Sequence, residues 1–210
     1  ENLIVRGKFP FNTDSVMGHI YDMFSVPLVK YHIVNWKENK KRILESLPKL
    51  NQEHLDRDVG LYTDFFEVIK NNNLPTYSNV VIDIIKPYLA DFTQQRRAEF
   101  TNMWFQTAFK GNSHGLHNHG HSGWSSVIYV EFNPQFHTST KFISPFNNPW
   151  DGNLVDFMPE VQEGDMIIFP STLTHESLPN QSEVRRTIVS YNLRGHVDCV
   201  KKKLWDGDSF

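Results

Sequence analysis

Four of the chain's ten histidines, His114, His117, His119 and His121, fall in one stretch, Ser-His-Gly-Leu-His-Asn-His-Gly-His. Imidazole is the side chain most often found on first-row transition metals. In a strand, residues two apart point to the same side, so His117 and His119 can present two nitrogens to one ion. His121 continues that face only if the strand does. Gly120 and Ser122-Gly123 signal a turn there, which ranks the 117/119 pair above 119/121. The alternative is a solvated loop that is rich in histidine and binds metal adventitiously.

A second element with chemical potential runs from Gly164 to His175, where a tight turn launches the apolar run Met166–Phe169 and a Pro170-Ser171 corner delivers a lone histidine. Just beyond, Arg185 and Arg186 open a stretch through Asn192 that otherwise reads as core. An arginine facing a barrel interior is costly unless an anion pairs with it. No acidic residue lies in that strand, so another strand or a carboxylate ligand must supply the anion. The guanidinium fork suits a carboxylate better than lysine does. Taken singly, His175 reads as a core histidine and the arginines as surface residues. The order His-x-His, then His, then Arg ten or eleven residues later is far more specific.

The elements that must position these groups divide the chain near residue 100. Before it, Phe24–Ile33 reads as a strand. Asn35 is placed to cap a helix through Leu47, which Pro48 stops. A short helix is expected over Thr63–Lys70, and a third over Ser78–Gln95, which Pro87 should kink or shift. From Glu99 the period becomes strand-like. Strands are expected at Phe100–Phe109, Ser113–His119, Trp124–Phe132, Lys141–Ile143, Leu154–Met158, Asp165–Phe169, His175–Leu178 and Arg186–Leu193. Short strands at near-regular spacing after helices predict a mainly β fold with a double-stranded β-helix core, jelly-roll and cupin-like in type. The expected organisation is one domain over residues 1–210. Residues 1–98 form an N-terminal strand and buttressing helices, 99–195 the core and 196–210 a polar tail.

Composition narrows the function classes. With 210 residues, 39% hydrophobic and 13% aromatic, the chain can bury a substantial core. A net charge of −3 argues against a nucleic-acid partner, and Lys201–Lys203 reads as solvated tail. The single cysteine, Cys199, fits a reducing compartment and rules out an internal disulfide. No apolar run is long enough to span a membrane, and no signal-peptide pattern opens the sequence, so a cytoplasmic location without membrane partners is expected.

The stretches Met103–Gln106, His117-Asn118-His119, Trp124–Val130, Ile168–Ser171 through His175, and Arg186–Asn192 together resemble the 2-oxoglutarate/iron(II) oxygenase superfamily. The likeness is strongest to a phage and bacterial branch distantly related to prolyl hydroxylases, whose N-terminal start Phe24–Leu28 is also similar. The resemblance implies iron(II) as metal, 2-oxoglutarate as cosubstrate and dioxygen as oxidant. It further implies hydroxylation of a substrate C–H bond with release of succinate and CO2, in a host's cytoplasm if the chain is phage-encoded. It places metal ligands at His117 and His175, and at His119 in the position where the superfamily carries an acid. Neither Asp nor Glu occurs between Asn102 and Tyr129, so the implied site has three histidines.

The arginine that grips the distal carboxylate of 2-oxoglutarate falls on Arg186 or Arg185. Arg186 shares a face with Ile188, Ser190 and Asn192 and is preferred; Arg185 goes with Thr187, Val189 and Tyr191. Tyr129 matches a tyrosine beside the same carboxylate, or is simply a core aromatic. Trp104, Gln106 and His121 are pocket candidates, with plain packing as the other reading for the first two. The substrate, a small molecule or peptide, is expected to enter near Gln135–Trp150 and the N-terminal helices. Two rivals remain open: a cupin-like metal enzyme without 2-oxoglutarate, and a non-enzymatic β-sandwich module of phage or structural type. In the latter, His114 or His121 would complete a four-ligand structural ion site.

Overall fold

Side-chain alternation along the strands sorts residues of the C-terminal half onto two faces, and that sorting builds the molecule. The structure, a computed structural model, describes residues 26–195 apart from 59, 95, 96 and 122. The expectations for Phe24–Ser25, Cys199, Lys201–Lys203 and the rest of the tail lie outside the described residues. The N-terminal part contains β1 (Val29–His32), α1 (Trp36–Ser46), β2 (Tyr62–Thr63), α2 (Phe65–Asn71) and α3 (Ser78–Thr93). The strands β3 (Ala98–Ala108), β4 (His114–His117), β5 (Trp124–Glu131) and β6 (Lys141–Ile143) follow. The last are β7 (Asp156–Phe157), β8 (Asp165–Pro170), β9 (His175–Ser177) and β10 (Arg186–Gly195).

A six-stranded sheet has the order β1-β8-β5-β10-β3-β2, and a four-stranded sheet the order β4-β9-β6-β7. All of their pairings are antiparallel. The two sheets form the double-stranded β-helix expected from the strand spacing. On the outer face of the larger sheet, Met103, Phe105, Ile128, Val130, Met166, Ile168, Val189 and Tyr191 join Ile43, Val81, Ile84 and Ile85 of the helices in one core. On the inner face, Val127, Tyr129, Ile167 and Phe169 pack with Phe142 of the smaller sheet. Burial on both faces explains why β8 is apolar without interruption.

Three local expectations change. Asn35 precedes α1 but sits in the left-handed region at φ 52°, with no side-chain cap; its carbonyl receives the first helical amides instead. Asn tolerates that region better than most residues. Residues 62–63 form a strand against β3, so the second helix starts at Phe65 rather than Thr63. The third helix runs through Pro87 as one element, its Val81, Ile84 and Ile85 buried against the sheet. Packing of this apolar face outweighs the loss of one backbone hydrogen bond. Among the described residues, no helix is long and apolar enough to cross a membrane.

Candidate metal centre

His117 and His175 are cross-strand partners on β4 and β9, so the pairing of the smaller sheet brings them together. Their ring centroids are 4.3 Å apart. His119 lies past the end of β4, so the expected regular strand through residue 119 stops two residues early. Its backbone N–H donates to Ser171 O, while Asn118 Oδ1 accepts from the Gly120 N–H. Ser171 Oγ donates to Gly120 O and accepts from the Gly123 N–H, closing the turn. His119 still converges, with its ring 5.3 Å from His117 and 5.1 Å from His175. One nitrogen from each of the three lies within 4.8 Å of the others, an arrangement that could hold a metal ion.

Hydrogen bonds orient each ring. His117 Nδ1–H donates to Gly115 O at 2.7 Å, and His175 Nδ1–H to Leu173 O at 2.8 Å. His119 Nδ1–H donates to Asn192 Oδ1 at 2.8 Å. Ser125 Oγ, also 2.8 Å from that nitrogen, donates to the same Asn192 oxygen, and Asn192 Nδ2 donates to Asn102 Oδ1. With Nδ1 committed in all three rings, Nε2 is left free to ligate, as in metal-binding histidines whose other ring nitrogen is held by a hydrogen bond. Burial lowers the pKa of all three, and it carries His175 down to about 3 with further help from the neighbouring His117. Neutral imidazoles are the form that binds metal.

His114 is not a fourth ligand. Gln106 Nε2 donates to its Nδ1 at 3.2 Å, so the ring proton sits on Nε2, the opposite tautomer to the other three. It stacks on His117 with centroids 4.0 Å apart. His121 is exposed and outside the cluster, because the chain turns at Gly120 before reaching it. A closed four-ligand shell is therefore absent among the described residues, whereas an open shell suits catalysis.

Arg186 faces inward, is 6% exposed, and donates to Thr138 O and Ser177 Oγ. No acidic side chain pairs with it among the described residues. Arg185 points the other way and forms an exposed ion pair with Glu131 at 2.8 Å, which removes it as an interior anchor. Strand alternation is the cause. Tyr129 is buried, feels the field of Arg186, and its hydroxyl bonds Thr140 Oγ1 at 2.9 Å. Ser190 lines a narrow interior pocket with Ile188, Thr140, Ser177 and the three histidines. Asn192 does not turn toward Arg186: the β10 face carries it to the opposite end of the pocket, where it serves His119.

Trp104 and Gln106 line both this pocket and a wider cleft beside the histidines. The cleft is bounded by α2 with Asp56, Leu61 and Thr63, as the expectation of entry near the N-terminal helices suggested, but residues 135–150 do not line it. Sequence reasoning missed Ser177, although it lies two residues beyond His175, a spacing that puts both on one face of β9. Ser125 and Asn102 were missed as well, and only cross-strand register reveals them.

A double-stranded β-helix with three converging histidines and a buried arginine on the same inner face defines a barrel with a candidate metal site. Residues 102–192 match the family model described as "Putative 2OG-Fe(II) oxygenase". Among solved structures, the chain is similar to a prolyl-4-hydroxylase from Pseudomonas putida, at 13% identity and TM-score 0.53, covering 82% of this chain and 94% of that one. It is similar to the viral collagen prolyl hydroxylase of Paramecium bursaria Chlorella virus-1, at 14% identity and TM-score 0.52, covering 80% and 96%. HygX from Streptomyces hygroscopicus, solved with nickel and 2-oxoglutarate bound, matches at 12% identity and TM-score 0.56, covering 82% and 84%. No curated protein sequence matches the chain. The family match over residues 102–192 bears out the resemblance to 2-oxoglutarate/iron(II) oxygenases read from the sequence, and the solved structures bear out the fold.

Proposed function

We propose that the protein is an oxidoreductase, a non-haem iron(II) oxygenase that uses 2-oxoglutarate to hydroxylate a C–H bond of its substrate. One observation carries the reading: a buried arginine without a carboxylate partner among the described residues donates to Ser177, which lines the same interior pocket as three histidines oriented for one ion. When bound there, iron(II) and 2-oxoglutarate supply the oxidising chemistry, in which dioxygen converts the keto acid to succinate and CO2 and a substrate C–H to C–OH.

The chain's own residues bind and orient. His117, His119 and His175 hold three positions around the ion. All three ligands are neutral, so they cancel none of the ion's charge, and an anionic cosubstrate is drawn in more strongly than to a carboxylate-bearing site. Arg186 grips the distal carboxylate, with Ser177 and Ser190 lining the path to it. Tyr129, held by Thr140, walls the same end. Val127 and Ile188 keep that end dry, which strengthens the arginine's pairing. The lone Cys199 and the net charge of −3 support a cytoplasmic protein acting on a small molecule or peptide. A metal enzyme that dispenses with the keto acid is the second reading, favoured by the three-histidine set.

Anaerobic addition of iron(II) and then 2-oxoglutarate should produce the weak visible charge-transfer band of the chelate. His175→Ala should abolish iron binding, and Arg186→Ala should weaken 2-oxoglutarate far more than iron. Iron-loaded protein that takes up no 2-oxoglutarate by spectroscopy or calorimetry would sink the reading and favour the second one.

A further inference from the structure

The cleft beside the histidines has a volume of about 440 Å³, within the range of small-molecule sites. Its outer wall is α2, which places Phe65, Phe66 and Ile69 along it. Phe65 packs edge-on against Trp104, with ring centroids 5.2 Å apart, and thereby ties that wall to the barrel. Phe66 is 62% exposed and Ile69 49% exposed, so two large apolar side chains stand at the mouth without cover. Phe66 packs edge-on against Phe65 with ring centroids 5.5 Å apart, yet most of its surface and about half of that of Ile69 stay open.

The charge of the cleft is as selective as its apolarity. Histidines aside, Asp56 is the one charged side chain among the described lining residues, and none of these is Lys or Arg. Asp56 Oδ1 accepts from the Asp58 N–H at 3.0 Å, and no cation pairs with the carboxylate among the described residues. Away from the metal position, which 2-oxoglutarate occupies, a phosphate- or carboxylate-bearing substrate meets no cationic side chain among the described lining residues and loses hydration on entry.

We infer that this cleft takes the substrate, and that the substrate is an apolar amine: an aromatic or branched aliphatic body packed on Phe66 and Ile69, with a cationic end toward Asp56. The inner end of the cleft is lined by His117 and His119, so a carbon of the apolar body reaches the metal position. This inference rests on the oxygenase reading for the reaction but not for the binding.

The test uses the full chain loaded anaerobically with iron(II) and 2-oxoglutarate, and three probes of one skeleton: 2-phenylethylamine, 2-phenylethanol and 3-phenylpropionate. Binding is read by ligand-observed NMR and calorimetry. The amine should bind at least about tenfold more tightly than the carboxylate, with the alcohol between them. Phe66→Ala should weaken amine and alcohol alike by about fivefold, the effect of a lost apolar contact. Asp56→Asn, which keeps the bond to Asp58, should reduce the amine to the level of the alcohol and leave the alcohol unchanged. Equal or tighter binding of the carboxylate, binding indifferent to both substitutions, or binding of none of the three would overturn the inference. The 2-oxoglutarate titration of the same samples separates the two proposals. A normal band without probe selectivity removes only the amine, and selective probes without a band remove only the oxygenase reading.

Discussion

Asn192 illustrates how a single side chain decides what a histidine can do. Its Oδ1 accepts a hydrogen bond from the Nδ1–H of His119, and its Nδ2 donates to Asn102 Oδ1. Asn192→Ala should lower metal affinity by roughly 10–100-fold, the usual loss when the group that hydrogen-bonds a ligating histidine is removed. Competition with a chromophoric zinc chelator measures this, and unchanged affinity would show that Ser125 and the Trp104 ring, whose centroid is 5.3 Å from that of His119, orient the imidazole without Asn192. The histidines also make stability depend on pH. Burial brings His114 down to about 4 and His175 to about 3, with the neighbouring imidazoles adding to the effect. Both lie below the unfolded value of about 6.5, so the unfolded chain binds more protons between the two. The metal-free protein should therefore be fully stable above about pH 6.5 and lose stability as the pH falls toward these folded values. Urea midpoints across that window measure the loss. His114→Gln should flatten the profile, and a flat wild-type profile would contradict the burial of the cluster.

At the level of elements, two glycines make a contrast. Gly123 has φ +101°, and a Cβ there would lie 2.8 Å from Leu193 O, a backbone atom that cannot move aside. Gly164 has φ +89°, and its Cβ would lie 2.7 Å from the Trp36 ring. Either substitution by alanine should cost about 1–3 kcal/mol in urea unfolding. Their effects on metal should differ. Gly123 closes the turn that carries His119, through Ser171, so Gly123→Ala should also weaken metal binding. Gly164→Ala disturbs the packing of α1 on the start of β8 and should leave metal affinity near that of the wild type. Equal metal affinity in both variants would show that the 118–123 turn does not position His119.

Across the whole molecule, the larger sheet separates two environments. Its outer face joins the helices in one apolar core, and its inner face carries the pocket. Ile85 on α3 is fully buried in the outer core. Ile85→Ala should cost roughly 2–5 kcal/mol, as large-to-small core changes do. Metal affinity measured well below the unfolding transition should persist, because the substitution lies across the sheet from the histidines. A metal affinity that falls in step with stability would show that the helices set the site's geometry as well as its support.

Strand periodicity by itself determined a good deal. The period of two separated Arg186 from Arg185 before any contact was known, because adjacent residues on a strand must face opposite ways, and Glu131 does hold Arg185 outside. Short apolar runs bounded by turn residues marked β3, β5, β8 and β10 to within a few residues, β8 as an unbroken run because both of its faces are buried. Where hydrogen bonds between distant segments take over, local pattern is silent. The turn that ends β4 early is held by Ser171, from another strand, and still returns His119 to its neighbours. Asn192 serves His119 rather than Arg186 because β10 spans the full pocket, and only its register with β3 and β5 sets which end each residue reaches. The cleft likewise exists only once α2 lies against β3. Periodicity is a property of neighbours along the chain, whereas a metal centre and its substrate cleft are properties of neighbours in space.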